Sequence, residues 1–134
     1  SIRIMEEQLI SFETAKSAKE KRFNISSNQQ KGYNKEGVLT FCGYSMYCNN
    51  EDFEETNLYS APTQSLLQKW LRERYDIFVE TQTYIADGLF KHMFIIKTTM
   101  DYEIDVRDSG NNFPSIEKAL EQGLQEALKQ IPQS

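Results

Sequence analysis

Three acidic residues alternate with apolar ones in DYEIDVRD, the spacing in this chain that is most typical of a metal-dependent active site. Asp101, Glu103 and Asp105 would share one face of a strand and could hold a divalent cation for phosphoryl chemistry. Carboxylates two residues apart on a strand are about 7 Å apart, so one ion would need further ligands. We therefore predict solvated carboxylates paired with lysines, and no catalytic or metal residue.

The only histidine, His92, and the only cysteines, Cys42 and Cys48, suggest no other catalytic site. The hairpin predicted around Asp87-Gly88 places His92 opposite Thr83, which cannot replace the carboxylate that orients a catalytic imidazole. The two thiols would lie about 20 Å apart on one strand face, too far for a disulfide. We predict a hydrogen-bonded core histidine, two reduced thiols and no cofactor.

A basic helix face is the third candidate for function. Lys69, Arg72 and Arg74 lie beside Trp70 in APTQSLLQKWLRERYDI. Trp70 falls within the apolar arc of that helix, and the β-rich sequence that follows excludes a helix-turn-helix. Because 20 acidic residues outweigh 15 basic ones, giving a net charge of -5, any contact with nucleic acid must be local. We predict a core helix with a solvated face, and keep the basic patch as an alternative.

Three helices are predicted from caps and apolar periodicity. The first begins after Ser11 and ends near Arg22, and the second runs from about Pro62 to Arg74. The third follows Ser115 and carries a broad apolar stripe that ends at Ile131.

A hairpin follows the second helix, because Asp87-Gly88 suits a two-residue type I′ turn. That turn sets a register in which one face is apolar on both strands. The inward residues are Ile77, Val79, Ile85, Phe90, Phe94 and Ile96. The outward residues are Phe78, Tyr84, Met93 and Ile95, with Lys91 and Lys97 beside them.

The next strand is predicted to extend this hairpin into a meander. A three-residue connection over 99–101 would place Ile104 beside Ile96 and Val106 beside Phe94, both facing the core. Glu103 would then lie beside Lys97 on the outward face.

The order of elements predicts an α+β fold. We expect an antiparallel sheet, made of a three-strand meander plus one or two short strands between 38 and 47, with about three helices packed mainly on one face. The chain is read as one domain over 1–134, with a possible flexible tail over 1–10. Since it has no run of about 18 apolar residues and no export signal, we expect a cytoplasmic protein without membrane contact.

Three segments resemble a family of small uncharacterised proteins from phages, prophages and mobile elements of gut bacteria. They are LISFETAKSAKEKRF, APTQSLLQKWLRERYDI and IEKALEQGLQEALKQI, about a third of the chain and in the same order. The resemblance implies a bacterial or phage cytoplasm and an accessory role, and supplies no catalytic residue. Arg22 departs from it, since the family has a glycine there as a helix C-cap.

The leading hypothesis for function is a non-enzymatic accessory protein whose outward sheet face binds an unidentified protein or a second copy. That face carries Phe78, Tyr84, Met93, Ile95, Lys91 and Lys97. Two alternatives come from other classes. One is weak single-stranded nucleic-acid binding, through Lys69, Arg72 and Arg74 or through the outward sheet face, and the other is a metal-dependent phosphoesterase. A covering of this face by the first helix or by residues 24–60 is the competing explanation.

Overall fold

In the described part of the chain, the strands form two separate three-stranded antiparallel sheets, and three helices complete an α+β fold, which confirms the predicted class. The computed structural model describes residues 7–25, 31–41, 50, 58–100 and 103–132. The elements are α1 (Phe12–Glu20), β1 (Lys31–Tyr33), β2 (Leu39–Phe41), β3 (Tyr59–Ser60), α2 (Gln64–Tyr75), β4 (Phe78–Ala86), β5 (Leu89–Met100), β6 (Glu103–Asp108) and α3 (Ile116–Lys129). The short strands make a small sheet of their own, in the order β2-β1-β3.

The main sheet has the order β4-β5-β6, and its first hairpin has the predicted register. Ala86 pairs with Leu89 and Val79 with Ile96. Asp87 and Gly88 have φ of 53° and 72°, as a type I′ turn requires. The turn chemistry is therefore sufficient to fix which side chains of β4 and β5 share a face.

The predicted register of β6 is wrong. Met100 pairs with Glu103, so two residues connect the strands where three were expected. Val106 consequently pairs with Lys97 and Ile104 with Thr99, and both leave the core face. A change of an odd number of residues reverses every side chain of a strand, because side chains alternate between the faces.

Hydroxyl side chains cap the helices α1, α2 and α3. Ser11 accepts from the Thr14 N–H and Ser115 from the Lys118 N–H, at the predicted positions. Thr63 caps α2 by accepting from the Leu66 N–H, so α2 begins two residues after Pro62. A threonine oxygen that satisfies a free N–H defines the helix start better than the tolerance of proline in the first turn.

Helix α3 packs on β4 and β5 of the main sheet, and α2 contacts β4 as well as α3. A Cβ on Gly123 would lie 2.9 Å from Val79 Cγ1 and 3.0 Å from Phe94 Cβ, so this glycine lets the helix backbone approach the sheet. Helices α1 and α2 pack against α3, and the small sheet packs on α1 through Phe12, whose ring is 5.7 Å from that of Tyr33. The fully enclosed large side chains include Phe23, Ile10, Leu67, Leu71, Leu124 and Leu128.

Residues 8–10 are held in place, contrary to the expected tail. The Ile10 N–H donates to the Pro62 carbonyl at 3.0 Å, and the Gln64 N–H donates to the Gln8 carbonyl at 2.8 Å. Ile10 is completely buried. Residues 1–6, Cys42, Cys48 and Asp101 lie outside the described residues, as does most of the acidic run 49–55.

Glu121 of α3 links the starts of α1 and α2. Its Oε2 accepts from the Ser11 N–H at 2.9 Å and from the Thr14 hydroxyl, and its Oε1 accepts from Gln64 Nε2 at 3.0 Å. The Tyr33 hydroxyl nearby donates to the Ile10 carbonyl at 2.7 Å. Burial, and then the negative charge of Glu121, raise the pKa of Tyr33 above its usual value.

Helix α1 ends in a left-handed arginine. Arg22 has φ of 66°, its N–H donates to the Lys19 carbonyl, and the Phe23 N–H donates to the Ala18 carbonyl. These two bonds make a Schellman motif, which usually has glycine at the left-handed position. Helix α1 therefore ends in a motif in which glycine is usual, with an arginine in the left-handed position.

Candidate interaction surface

The side chains of the main sheet that point away from α3 form what we call the outer face. Phe78 pairs with Lys97 and Tyr84 with Lys91, while Ile95 and Met93 pair with Glu80 and Gln82. Because directly paired residues share a face, the structure brings the predicted interface residues together. They are Phe78, Tyr84, Lys91, Met93, Ile95 and Lys97.

Strand β6 adds two apolar residues to this face that were predicted to lie in the core. Ile104 is 78% exposed and Val106 is 58% exposed, on the same side as Lys97. Ile95 and Val106 are diagonal neighbours across β5 and β6, at about 7 to 8 Å. The apolar part of the outer face therefore extends across all three strands.

Charges on the outer face balance each other. Lys97 lies on the central strand, within the apolar patch, where its Nζ contacts Glu80 Oε2 at 3.0 Å. Lys91 and Asp108 are the other charged members, so two lysines face two acids. A chain of net charge -5 thus has a sheet face without net charge, which favours contact with another uncharged surface.

The described helices lie on the opposite side of the sheet. Val79 and Phe94, which contact α3, belong to the inner face, and α1 packs on α3 and β3. The expected competitors for the outer face are α1 and the described parts of 24–60, and they therefore lie on the α3 side of the sheet. Residues 26–30, 42–49 and 51–57 lie outside the described part of the chain.

The end of the β4–β5 hairpin extends beyond the helical layer. The 12 residues of β5 span about 40 Å, whereas the 14 residues of α3 span about 21 Å. Ile85 and Phe90 lie on the inner face as predicted, but they are 70% and 71% exposed, because α3 is too short to cover them. Leu89, on the outer face, is 61% exposed. The hairpin end thus presents apolar side chains on both of its faces.

His92 and Asp105, two of the residues considered for catalysis, have ordinary structural partners. Thr83 Oγ1 and His92 Nδ1 are 2.8 Å apart, as the register predicted, although His92 is half-buried instead of enclosed. Asp105 accepts from Arg107 Nε at 2.7 Å, on the inner-face side of β6. The prediction of lysine partners on the outward face is therefore wrong for Glu103 and Asp105. Within the described residues, no cluster of three His, Cys, Asp or Glu side chains could hold a metal ion.

The basic residues of α2 do not all lie in one patch. Lys69 forms an ion pair of 4.0 Å with Glu73, and Arg74 lies 5.9 Å from the centre of the Tyr75 ring. Lys69 and Arg74 line a cleft beside Trp70, whereas Arg72 is exposed outside its lining. Trp70 itself packs edge-on against Phe23, with ring centroids 5.1 Å apart, as its apolar position predicted.

No protein-family model, curated protein or solved structure matches this chain. Across the described ranges from residue 7 to 132, no helix has the length and apolar character to cross a membrane. The fold and the surface define an α+β domain whose main sheet has helices on one face and an apolar, charge-balanced outer face on the other.

Proposed function

We propose that this chain is a non-enzymatic interaction protein that associates with a second copy of itself through the outer face. The register of β6 is the observation that supports this most strongly, because it adds exposed Ile104 and Val106 to the face that carries Phe78 and Ile95. Contiguous exposed apolar side chains are typical of interaction sites. An accessory role in a bacterial or phage cytoplasm is part of the proposal and depends on the sequence resemblance.

A second copy is the occupant that the charges favour. In a two-fold interface the same patch meets itself, so a face with net charge would repel its own copy. The outer face has two lysines and two acids, and the ion pair between Lys97 and Glu80 lies within the patch. The same balance makes the face unsuited to phosphates, which need net positive charge.

The hairpin end supplies area that the flat face lacks. Three strands make a face about 14 Å wide and about 30 Å long. The area of this face is smaller than the roughly 800 Å² that each partner buries in a typical stable interface. Ile85, Leu89 and Phe90 extend the apolar surface past the helices. We therefore expect the dimer to include the hairpin end as well as the outer face.

Dimerisation predicts that the melting temperature of the parent rises with protein concentration, because association stabilises only the folded state. Val106→Lys places a new charge next to Lys97 on the outer face and should abolish this dependence. Val38→Lys is the matched control, since Val38 is 56% exposed against 58% for Val106 and lies before β2, outside the main sheet. Thermal melts of the three proteins over a wide concentration range make the comparison.

The control variant should keep the concentration dependence of the parent. A parent whose melting temperature is independent of concentration, or an equal loss of the dependence in Val38→Lys, would contradict self-association through this face.

A further inference from the structure

A cleft between the end of α1 and the side of α2 has the size and lining of a ligand site. Its volume is about 470 Å³, within the range of roughly 300 to 1,000 Å³ that is typical of small-molecule sites. Trp70, Leu66 and Ile25 provide its apolar wall. The Trp70 ring is held by edge-on contacts with Phe23 and Tyr75, whose centroids lie 5.1 and 5.2 Å away.

The same cleft carries an excess of positive charge. Arg22, Lys69 and Arg74 line it together with one acid, Glu73. Glu73 lies 4.0 Å from Lys69. Neither arginine has a carboxylate partner among the described residues. Two guanidinium groups beside an aromatic wall suit an anion that is attached to a planar ring, since guanidinium binds phosphate through paired hydrogen bonds.

The backbone of Arg22 gives an independent reason to look for a role of its side chain. The structure has three left-handed non-glycine residues in its described part, and the other two, Asp76 and Asp87, are aspartates, which tolerate this conformation. Arginine has no such local compensation. A strained residue whose side chain lines a cleft is a reasonable candidate for function.

We propose that this cleft binds a nucleotide, with the base against Trp70 and the phosphate between Arg22 and Arg74. The base gains stacking on the indole and contact with Leu66 and Ile25, and the phosphate neutralises the two arginines. A free mononucleotide and the phosphorylated end of a nucleic-acid single strand share this chemistry. This site lies apart from the outer face, so the proposal does not depend on dimerisation.

The test follows the indole N–H resonance of Trp70, the only tryptophan, in an NMR titration of the full chain. Adenosine monophosphate should shift it in a saturable manner, whereas adenosine or inorganic phosphate alone should bind at least about tenfold more weakly, because each lacks one half of the contacts. A terminally phosphorylated oligothymidylate, compared with the unphosphorylated oligomer, forms the second arm. Tighter binding of the phosphorylated strand than of the mononucleotide identifies a strand end as the source, and equal or weaker binding identifies the free nucleotide.

Arg22→Gly separates a binding role from a structural one. Glycine fits the left-handed position, so this variant should melt at a higher temperature than the parent and yet bind the nucleotide about tenfold more weakly. Arg74→Gln should weaken binding similarly, while Arg72→Gln, outside the cleft, should not. The proposal is overturned if the mononucleotide gives no saturable shift, or if Arg22→Gly and Arg74→Gln bind it as tightly as the parent.

Discussion

Replacing Phe23 with alanine is expected to lower the free energy of unfolding by about 3 to 5 kcal/mol, the range typical of deleting a buried aromatic side chain. Phe23 is fully buried and contacts the Trp70 ring, 5.1 Å away between centroids. It also follows the left-handed end of α1, where its N–H closes the Schellman motif on Ala18. Its loss would leave a cavity between α1 and α2 that neither helix can fill without moving its end.

Urea denaturation measures this effect, with Phe41→Ala as the matched control. Phe41 ends β2 and is 57% exposed, so the same truncation should cost less than about 1 kcal/mol there. Equal losses in the two variants would contradict the placement of Phe23 at the centre of the core.

Glu121→Ala should lower the free energy of unfolding by about 3 kcal/mol, the second largest effect that we expect. The substitution removes the acceptor of the Thr14 hydroxyl and of one amide hydrogen of Gln64. Those two residues are 0% and 4% exposed, and a hydrogen bond to a charged group contributes about 1.5 to 3 kcal/mol. Glu121→Gln should fall between the parent and the alanine variant, because the amide replaces one acceptor with a donor.

Glu126→Ala is the control on the same helix, since Glu126 forms only a solvated pair with Lys129, at 3.1 Å. Its loss should cost less than about 0.5 kcal/mol by urea denaturation. A similar cost for Glu121→Ala would show that the Glu121 contacts contribute nothing to stability.

The charge of Glu121 also predicts a change at high pH. Folding raises the pKa of Tyr33. The contribution of this group to the free energy of unfolding is therefore complete below its unfolded pKa of about 10, and it is lost as the pH rises through the folded pKa. Glu121→Ala removes the second of the two causes, so the folded pKa of Tyr33 should move toward its usual value.

The parts of the fold that short-range chemistry determines could be predicted from the sequence. Asp87-Gly88 requires a turn of two residues, and that length alone sets the pairs of β4 and β5. The caps at Ser11 and Ser115 are equally local, because a hydroxyl three residues before a free N–H is sufficient.

The position of β6 could not be predicted in the same way. The alternation of Ile104 and Val106 shows that they share a face, but only the length of the connection decides which face. Since apolar residues usually lie inside, the core face was the natural expectation, and the observed pairing of Val106 with Lys97 reverses it. No turn signal as strong as Asp-Gly marks this connection in the sequence.

The part of the sheet that a helix covers, and the place where a cleft forms, depend on contacts between segments that are distant in the sequence. The register placed Ile85 and Phe90 on the inner face, but periodicity does not show how far α3 reaches along the sheet. The Trp70 cleft likewise joins residues 22–25 to residues 66–74, and only the packing of α1 on α2 brings them together.

Sedimentation equilibrium of the parent and of Ile95→Lys tests the central claim most directly, because Ile95 lies on the central strand of the outer face. We predict a dimeric parent and a folded, monomeric variant, since two new lysines would face each other across the two-fold interface. A monomeric parent whose stability falls by about 2 kcal/mol or more on Ile95→Lys would contradict the proposal, because a charge is that costly only where the side chain is already packed within the same chain.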